Sequence, residues 1–398
     1  FTSITQPANN SYQKAINYIS GTANSDTKYL NLSIQRKSDN YYWNFAGNWQ
    51  ATEISTPVTP SGGSWTYSAS LPQFITLSSY TIKSVGINYY DVPEVSPPTV
   101  VVFFDTTPPN VSITLPDGVD NYYHQDISTF TGTATDPPGT KPPASGIYKV
   151  FVELKALNGP YQDRYWDNVN STFTSVYNEA NNEAVYYALG STWSYSVSIP
   201  TAALIDGVKY SVRAKARDNT YKDAILEGND SAWAGPYTFN YDITAPTATV
   251  TSVSDGQIRS RVDIASGSIL ETMVIENSAL PPSTQISEIR VYLKDNQSGN
   301  FWIGSGWASS GYMSADIYQS SWSVSSMPFW TDNYTYTLYA QAYDKAGNIQ
   351  NSFVAGLSSV TFRIDKLAPV VSISSPVTNG KYSVFPTIYG TALDQNPD

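Results

Sequence analysis

Short stretches of alternating apolar and polar residues recur along the whole chain. Because successive side chains of a β-strand point to opposite faces, this two-residue period predicts strands with one buried face. Glycine, proline, asparagine and aspartate separate the stretches and favour turns. The pattern therefore predicts an all-β chain. It is clearest in three stretches whose buried positions are predicted to be Leu30, Leu32 and Ile34; Val150, Val152 and Leu154; and Ile289, Val291 and Leu293.

A short motif divides the chain into similar units. The sequence YDITAP begins at Tyr241, and its relatives FDTTPP and IDKLAP begin at Phe104 and Ile364. Each copy closes an alternating stretch, and its proline interrupts strand pairing before the next stretch begins. The repeat predicts three complete domains and the start of a fourth, which is incomplete. Their predicted ranges, called domains 1 to 4 below, are 1–104, 105–241, 242–364 and 365–398.

Other landmarks keep one order inside each unit. Tyr210 follows an Asp-Gly pair at the start of a strand, and Tyr80 and Tyr336 take the same place in the neighbouring units. This spacing is typical of the tyrosine corner of immunoglobulin-type sandwiches, whose hydroxyl bonds to upstream backbone. In domain 2, the irregular stretch from Ser175 to Leu189 can hold a short helix. The recurring glycines are Gly21, Gly132, Gly267 and Gly390, and the recurring strand tryptophans are Trp65, Trp193 and Trp322.

The motifs GTATD, ARDN, AYDKAGN and YDITAP resemble those of bacterial immunoglobulin-like repeats. Such repeats occur in large surface proteins, adhesin-like proteins and extracellular filament proteins. The resemblance covers essentially the whole chain. It implies tandem immunoglobulin-like β-sandwich domains that serve as a spacer or adhesive array outside the cell.

Composition limits the classes of function. The chain has 41% hydrophobic and 14% charged residues, so it can bury cores while carrying few charges. It contains no cysteine, which removes disulfides, thiolate catalysis and cysteine-bound zinc and favours a prokaryotic surface. The net charge of −11 argues against nucleic-acid binding and leaves carboxylates available for cations.

No apolar stretch approaches the length of a membrane span. The chain begins at Phe1 and stops at Asp398, within the fourth unit. We therefore expect a segment of a longer repetitive protein, with self-association or further copies of the repeat as its partners. In the alternative, another subunit completes the fourth sandwich by adding a strand.

Catalytic chemistry has little support in the sequence. The only histidine, His124, is expected in a turn after the first strand of domain 2, and domains 1 and 3 have no counterpart. A repeated Ser-His triad or histidine-rich metal site is therefore excluded. A pair of carboxylates, which is all that a glycosidase needs, stays open as an alternative, but nothing in the sequence marks a particular pair as catalytic. We expect a non-enzymatic protein without catalytic residues.

Acidic residues mark the predicted junctions between units. In a seven-stranded sandwich, the loops after the second and sixth strands lie at the end where the first strand enters. Carboxylates gathered there can bind Ca²⁺, which takes 6 to 8 oxygen ligands, and Asn219 and Asn348 can add amide oxygens. Alternatively, these residues only shape turns. The candidates are Asp105, Asp136 and Asp218; Asp242, Glu271 and Asp344; and Asp365 and Asp394.

Aromatic residues in the irregular part of each unit form a second candidate site. Trp49, Tyr177, Trp307 and Tyr312 differ in position between units, whereas the aromatic residues that recur are expected to pack on their own sandwich. Rings with a flat apolar face and a polar tip suit stacking on sugars. The same rings also suit contacts with other proteins.

Three functions follow from these patterns. The first is a non-enzymatic extracellular structural or adhesive repeat protein, such as a stalk, sheath or filament component, with junctions stiffened by Ca²⁺. The second is a carbohydrate-binding adhesin that uses the variable aromatic residues. The third is an accessory region of a secreted polysaccharide-degrading enzyme.

Overall fold

The computed structural model describes residues 1–117, 122–124, 127–137, 144–197, 204–270, 285–384 and 386–395. Within these ranges the chain is built from β-strands and three single-turn 3₁₀ helices. No helix of the described residues is long and apolar enough to span a membrane. The prediction of an all-β chain is confirmed.

Domain 1 is a sandwich of two sheets. The larger sheet has the order β1-β9-β8-β3-β4-β5, with β6 also paired to β3, and the smaller one pairs β2 with β7. Long antiparallel pairing of β3 with β8 forms the centre of the larger sheet. The strands are β1 (Ser11–Ala15), β2 (Ile19–Thr22), β3 (Thr27–Arg36), β4 (Tyr42–Trp43), β5 (Trp49–Gln50), β6 (Thr56–Val58), β7 (Ser64–Tyr67), β8 (Ser78–Asn88) and β9 (Thr99–Phe104).

Domain 2 differs from domain 1 in that β16 pairs with both β17 and β13 and so joins the strands into one continuous sheet. The strands lie in the order β10-β12-β17-β16-β13-β18-β21, and the hairpin β14-β15 attaches to β13. The strands are β10 (Asn110–Leu115), β11 (Tyr122–His124), β12 (Thr129–Thr135), β13 (Ile147–Ala156), β14 (Tyr165–Asp167), β15 (Thr172–Thr174), β16 (Glu183–Tyr187), β17 (Thr192–Ser196), β18 (Lys209–Asp218), β19 (Tyr221–Lys222), β20 (Ile225–Leu226) and β21 (Ala234–Tyr241).

Two local expectations for domain 2 need correction. His124 ends strand β11 rather than lying in a turn. The predicted short helix between Ser175 and Leu189 is instead a strand, β16, flanked by two 3₁₀ turns. A single 3₁₀ turn forms where the Asn178 side chain accepts a hydrogen bond from the backbone amide of Ala180. The residues after it pair with β17 as strand β16, so the turn does not continue into a helix. The 3₁₀ helices of the domain are Gly159–Tyr161, Glu179–Asn181 and Ala188–Gly190.

Domain 3 is again a two-sheet sandwich. One sheet has the order β22-β24-β30-β29, and the other has the order β23-β32-β31-β25-β26-β27 with β28 beside β25. The strands are β22 (Thr247–Ala248), β23 (Gln257–Arg259), β24 (Ala265–Leu270), β25 (Ile286–Asp295), β26 (Phe301–Trp302), β27 (Trp307–Ala308), β28 (Met313–Ser314), β29 (Asp316–Tyr318), β30 (Ser321–Val324), β31 (Thr335–Asp344) and β32 (Ser359–Ile364). The described part of domain 4 has β33 (Val370–Ser375) paired with β34 (Tyr389–Leu393).

The chain forms two compact units. The first comprises Phe1–Asn121, Ile127–Leu204 and Lys209–Phe239, so it holds domain 1 and most of domain 2. The second comprises Tyr122–Asp126, Ile205–Val208 and Asn240–Asp398. Inside the first unit, the domain 2 hairpin β19-β20 extends the larger sheet of domain 1, because β19 pairs in parallel with β1. The sequence analysis did not predict this hairpin.

The predicted alternation sets the core of each domain. All nine of the predicted inward positions on β3, β13 and β25 are at most 1% exposed. Each of these strands pairs along its length with β8, β18 or β31, whose alternate residues are also buried. These inward side chains join those of the facing sheet, as immunoglobulin-like sandwiches require.

The recurring glycine and tryptophan form one structural device. Gly132 on β12 lies opposite Trp193 on β17, and the Trp193 indole donates hydrogen bonds to the carbonyls of Ser112 and Thr133. A Cβ added at Gly132 would lie 2.0 Å from the Ser112 carbonyl oxygen and 2.5 Å from the indole ring. The same arrangement joins Gly21 to Trp65 and Gly267 to Trp322. Only glycine leaves room for the indole between the first two strands.

The predicted tyrosine corner is confirmed in domains 1 and 3. The hydroxyl of Tyr80 accepts a hydrogen bond from the backbone amide of Ile75, and that of Tyr336 accepts one from Thr331. Both tyrosines are at most 1% exposed, so the bond satisfies a buried hydroxyl. The corner fixes the entry of the central strand in each sandwich.

Candidate metal centre

Three carboxylates meet at the junction of domains 1 and 2. Asp105 directly follows β9, Asp136 follows β12, and Asp218 ends β18. These strand ends lie at one end of the sandwich, which brings one oxygen of each carboxylate within 4.8 Å of the others. Among the described residues, no other three acidic or histidine side chains come this close.

Two of the three carboxylates are buried and hydrogen-bonded. Asp105 accepts hydrogen bonds from the backbone amides of Thr107 and Ser145, and Asp218 accepts from the amide and hydroxyl of Thr220. Asp105 is 2% exposed and Asp218 is fully buried. Burial raises the pKa of Asp218 above its ordinary value, and the charge of Asp105 adds to this rise.

Asp136 is the least compensated member of the group. Its Oδ2 accepts hydrogen bonds from the Ser145 hydroxyl and the Gly146 amide. Its Oδ1 is buried and has no hydrogen-bond partner among the residues that the structure describes. Burial, with smaller contributions from the charges of Asp105 and Asp218, raises the pKa of Asp136 to about 6. Among the described residues, no cationic side chain pairs with this carboxylate.

An asparagine completes the cluster. The side-chain amide of Asn229 donates to Asp218 Oδ2 at 2.7 Å and to the Asp105 carbonyl at 3.1 Å. We expected Asn219 to serve here, but its side chain is exposed and its backbone amide donates to Gly146. The β19-β20 hairpin lies between the two asparagines, so the chain returns to the cluster only at Asn229. A long loop after β18 was the available signal in the sequence.

The second predicted junction is arranged differently. The Asn348 side chain lies between Asp344 and Asp242, but it is the amide nitrogen, not the expected oxygen, that contacts them: Nδ2 donates to Asp344 Oδ2 at 2.9 Å and to the Asp242 carbonyl at 3.0 Å. Burial raises the pKa of Asp344. The third predicted member, Glu271, lies outside the described residues. Of the three acidic residues predicted for this junction, the structure therefore places Asp242 and Asp344 around the side-chain amide of Asn348.

Acidic residues of the remaining predicted positions do not form such a group within the described chain. Asp365 accepts a hydrogen bond from the backbone amide of Leu367, and Asp394 is exposed after β34. In domain 1, Asn88 occupies the place of Asp218 and accepts hydrogen bonds from the amides of Tyr90 and Val92. A neutral side chain can therefore close the same turn.

The second candidate site was predicted to consist of Trp49, Tyr177, Trp307 and Tyr312, called the aromatic platform here. Two of these residues, Trp49 and Trp307, pack against other aromatic rings of their own domains. Trp49 on β5 lies 5.4 Å from the Trp43 ring, and Trp307 on β27 lies 5.5 Å from the Trp302 ring. The two tryptophans lie on equivalent hairpins, β4-β5 in domain 1 and β26-β27 in domain 3. Each ring also contacts the corner tyrosine of its domain, Tyr80 or Tyr336. The premise that Trp49 and Trp307 differ in position between units is therefore wrong, because both cover the edge of their own core.

The other two platform residues also pack locally. The Tyr177 hydroxyl donates to the Val152 carbonyl, and burial raises the pKa of Tyr177. The Tyr312 ring lies 4.5 Å from the Arg290 guanidinium and beside the Tyr292 ring. Tyr177 and Tyr312 therefore each pack within their own domain.

No family model and no curated protein matches this sequence. Several solved tandem-domain structures are similar. A tetra-tandem repeat from the extending region of a large adhesion protein is 15% identical, with 95% of this chain and 77% of that one covered and a TM-score of 0.28. A Ca²⁺-stabilised adhesin that helps an Antarctic bacterium bind ice is 14% identical, with 94% and 76% covered and a TM-score of 0.30.

A third similar structure holds fibronectin(III)-like modules of Clostridium thermocellum CbhA. It is 13% identical, with 61% of this chain and 94% of that one covered and a TM-score of 0.30. The neighbours are thus bacterial adhesin repeats and fibronectin- or immunoglobulin-like modules. At these low identities and TM-scores, the similarity supports no transfer of a ligand or activity to this chain.

The donor set at the first junction suits a hard cation. Three carboxylates provide negative charge, and the carbonyl of Asp105 lies in the same cluster. Ca²⁺ prefers carboxylate and carbonyl oxygens and tolerates irregular geometry, so water can complete its shell. Cysteine is absent from the chain, and the cluster contains no histidine, which makes softer metals poorer candidates.

Proposed function

We propose that this chain is a non-enzymatic structural or adhesive repeat array of a prokaryotic cell surface. The tandem immunoglobulin-like sandwiches and the low content of charged residues support a role as a spacer or stalk. Its partners are further copies of such domains and surface glycans. The adhesin resemblance of the sequence motifs agrees with this role.

We further propose that Ca²⁺ binds Asp105, Asp136 and Asp218 and stiffens the junction of domains 1 and 2. The observation that carries this proposal is the approach of three carboxylate oxygens to within 4.8 Å of one another. One of the three residues, Asp136, also has a buried oxygen to which no described residue forms a hydrogen bond. A divalent cation would replace mutual repulsion with attraction and would supply a partner for Asp136 Oδ1.

The competing role for the cluster is purely structural. The hydrogen bonds from Thr107 and Thr220 show that Asp105 and Asp218 also close turns. Asn88 performs that task in domain 1 without charge. A structural role predicts no response to cations, whereas the proposed site requires one, so the two roles can be separated by experiment.

The test is a thermal melt of the whole chain in chelator and in millimolar calcium. At a thousandfold excess over its dissociation constant, calcium stabilises the native state by about 4 kcal/mol. We expect the transition of the first compact unit to rise by several degrees. Asp136→Asn keeps the size and one acceptor oxygen but removes the charge, so the rise should largely disappear.

Asp365→Asn is the matched control, because Asp365 is a junction aspartate that forms no cluster with two other acidic side chains among the described residues. This variant should keep the full calcium response. Coincident melts of the unaltered protein in chelator and calcium would refute the calcium site and leave the carboxylates as turn residues. An equal loss of response in both variants would refute the assignment to Asp136.

A further inference from the structure

The hairpin of β33 and β34 in domain 4 repeats the first hairpin of the complete sandwiches. Ile373 lies opposite Gly390, in the same register that places the equivalent isoleucine of domain 2 opposite Gly132. The hydroxyl oxygens of Ser372 and Thr391 lie 2.7 Å apart, and those of the equivalent pairs in the other three domains lie 2.6 to 2.7 Å apart. Domain 4 therefore has the complete backbone geometry of this hairpin.

The face of this hairpin that is buried in the complete sandwiches is open in domain 4. Ile373 is 68% exposed and Ile388 is 60% exposed, whereas their counterparts in domain 2, Ile113 and Phe130, are at most 6% exposed. Within the described chain, β33 and β34 form a sheet of two strands only. Because two strands with an open apolar face are marginally stable in water, this edge is suited to the addition of a further strand.

Gly390 indicates which side chain that further strand carries. In domains 1 to 3, a Cβ added at the equivalent glycine would lie 2.5 to 2.7 Å from the indole ring of a tryptophan. At Gly390, the three atoms nearest to an added Cβ belong to the backbone of Ser372 and Ile373, and domain 4 contains no tryptophan. The glycine thus leaves the same space for an indole as in the other domains, without an indole from its own domain.

The three strands that supply the indoles share one pattern. Each pairs antiparallel with the strand of the glycine, with tryptophan directly opposite glycine. Each indole also donates a hydrogen bond to a carbonyl of the preceding strand, whose counterpart in domain 4 is the carbonyl of Ser372. In all three strands the tryptophan stands between two hydroxyl residues: Ser64-Trp65-Thr66, Thr192-Trp193-Ser194 and Ser321-Trp322-Ser323.

We propose that the β33-β34 hairpin binds an extended polypeptide segment in which tryptophan stands between two serine or threonine residues. The segment pairs with β34 as a third strand, its indole lies beside Gly390 and donates to the Ser372 carbonyl, and its apolar side covers Ile373. Main-chain hydrogen bonds supply affinity in such strand addition, and the indole sets the register.

The partner is a strand of the same repeat type that is not already part of a sandwich. A folded second copy of this chain offers no such strand, because Trp65, Trp193 and Trp322 are at most 2% exposed in their own domains. The inference rests on the proposed array function for the kind of partner, and it does not require the calcium site.

The test measures binding of a labelled peptide to the whole chain by fluorescence anisotropy in chelator. The peptide has the sequence of residues 189–197, LGSTWSYSV, which contains strand β17. It should bind with saturation, and the peptide with Trp193→Ala should bind at least about tenfold more weakly. In the chain, Gly390→Ala fills the space for the indole and should weaken binding of the unaltered peptide to a similar extent. Ile373→Ser removes apolar contact and should weaken it severalfold, which keeps the test valid should Gly390→Ala disrupt the hairpin.

Val370→Ser is the matched control, because Val370 lies on the same strand as Ile373 but on its opposite face and is 50% exposed. It should leave the affinity for the peptide unchanged. Absence of binding, or equal binding of the two peptides, would overturn the proposal. A doubled mass by light scattering without peptide, reversed by Ile373→Ser, would also overturn it, because the hairpin would then pair with a second copy. Melts without a calcium response, together with peptide binding in chelator, would refute the calcium site alone.

Discussion

Asp136 shows how burial changes a residue that the sequence marks only as acidic. Its pKa of about 6 in the folded chain exceeds the ordinary aspartate value of about 3.9. The folded state therefore binds a proton more tightly than the unfolded state does. The resulting contribution to the free energy of unfolding is fully present below pH 4 and is lost as the pH rises through 6.

We predict that, in chelator, the free energy of unfolding of the first compact unit falls between pH 4 and pH 7. Asp136 contributes roughly 1 to 2 kcal/mol to this fall after allowance for its partial exposure. Asp136→Asn should flatten the curve, with a smaller slope left by Asp218, whose pKa is also raised. Denaturant titrations at several pH values measure the effect.

Calcium should reverse the sign of this pH dependence. The cation binds the deprotonated carboxylates, so its stabilising effect grows as pH rises through 6. Asp365→Asn is again the control and should follow the unaltered protein. Equal slopes for the unaltered protein and Asp136→Asn in chelator would contradict the assigned burial of this carboxyl.

Residue positions at the site were predictable in part. The convergence of Asp105, Asp136 and Asp218 follows from strand direction alone, because the three strand ends share one end of the sandwich. Asn229 was not predicted, because the long loop after Asp218 does not show by itself at which residue the chain returns to the cluster, eleven residues later. Likewise, Gln6 and Gln13 occupy buried places that local patterns assign to exposed polar residues.

At the scale of elements, the β19-β20 hairpin distinguishes domain 2 from domain 3. Each of its strands has two residues, too few to show a two-residue period. The hairpin is held by pairing with β1 and by contacts from domain 1, including the bonds from Asn17 to Asp223 and from Lys14 to the Gly228 carbonyl. Its structure thus depends on the neighbouring domain, which sequence patterns within domain 2 do not contain.

We predict that this hairpin couples the unfolding of domains 1 and 2. Replacing the loop after β18 with the short KAGN turn of domain 3 removes the parallel pairing with β1 and the bonds to Asn17 and Lys14. Calorimetry should then show the transition of the first compact unit broadening or splitting, as expected when shared structure between domains is lost. The double change Asn17→Ala with Lys14→Ala should have a smaller effect in the same direction.

The control variant keeps the loop length and changes only Ile225, whose side chain is 70% exposed. Ile225→Ser should preserve a single transition. An unchanged transition in the shortened-loop variant would show that the two domains unfold together for a reason other than the hairpin, or independently in both proteins.

At the scale of the whole molecule, the fold class was predictable because every sandwich repeats the same period and the same punctuation. The division into two compact units was not predictable, since it arises from contacts between segments far apart in sequence. The recurring Gly-Trp pair was predictable in part. Its recurrence was visible in the sequence, but its cause is the close approach of the indole to a glycine backbone.

The Gly-Trp pair gives a prediction about the melting transition of each compact unit. Gly132→Ala places a methyl group 2.0 Å from the Ser112 carbonyl oxygen, so a strand or the indole must shift. Such overpacking costs about 1 to 3 kcal/mol or more. For a unit of this size, each kcal/mol lowers the melting midpoint by about 2 to 4 °C. Calorimetry of Gly132→Ala should therefore show a lowered transition for the first compact unit.

Gly267→Ala makes the equivalent change in domain 3, where the added methyl group would lie 1.6 Å from the Thr249 carbonyl oxygen. It should lower the transition of the second compact unit and leave the first in place. Gly21→Ala in domain 1 should lower the same transition as Gly132→Ala, because both glycines belong to the first unit. Gly62→Ala is not a suitable control because of its positive φ, whereas Gly306→Ala meets no atom within 4 Å and should change neither transition strongly. Separate transitions for Gly21→Ala and Gly132→Ala would mean that domains 1 and 2 unfold independently despite the shared sheet.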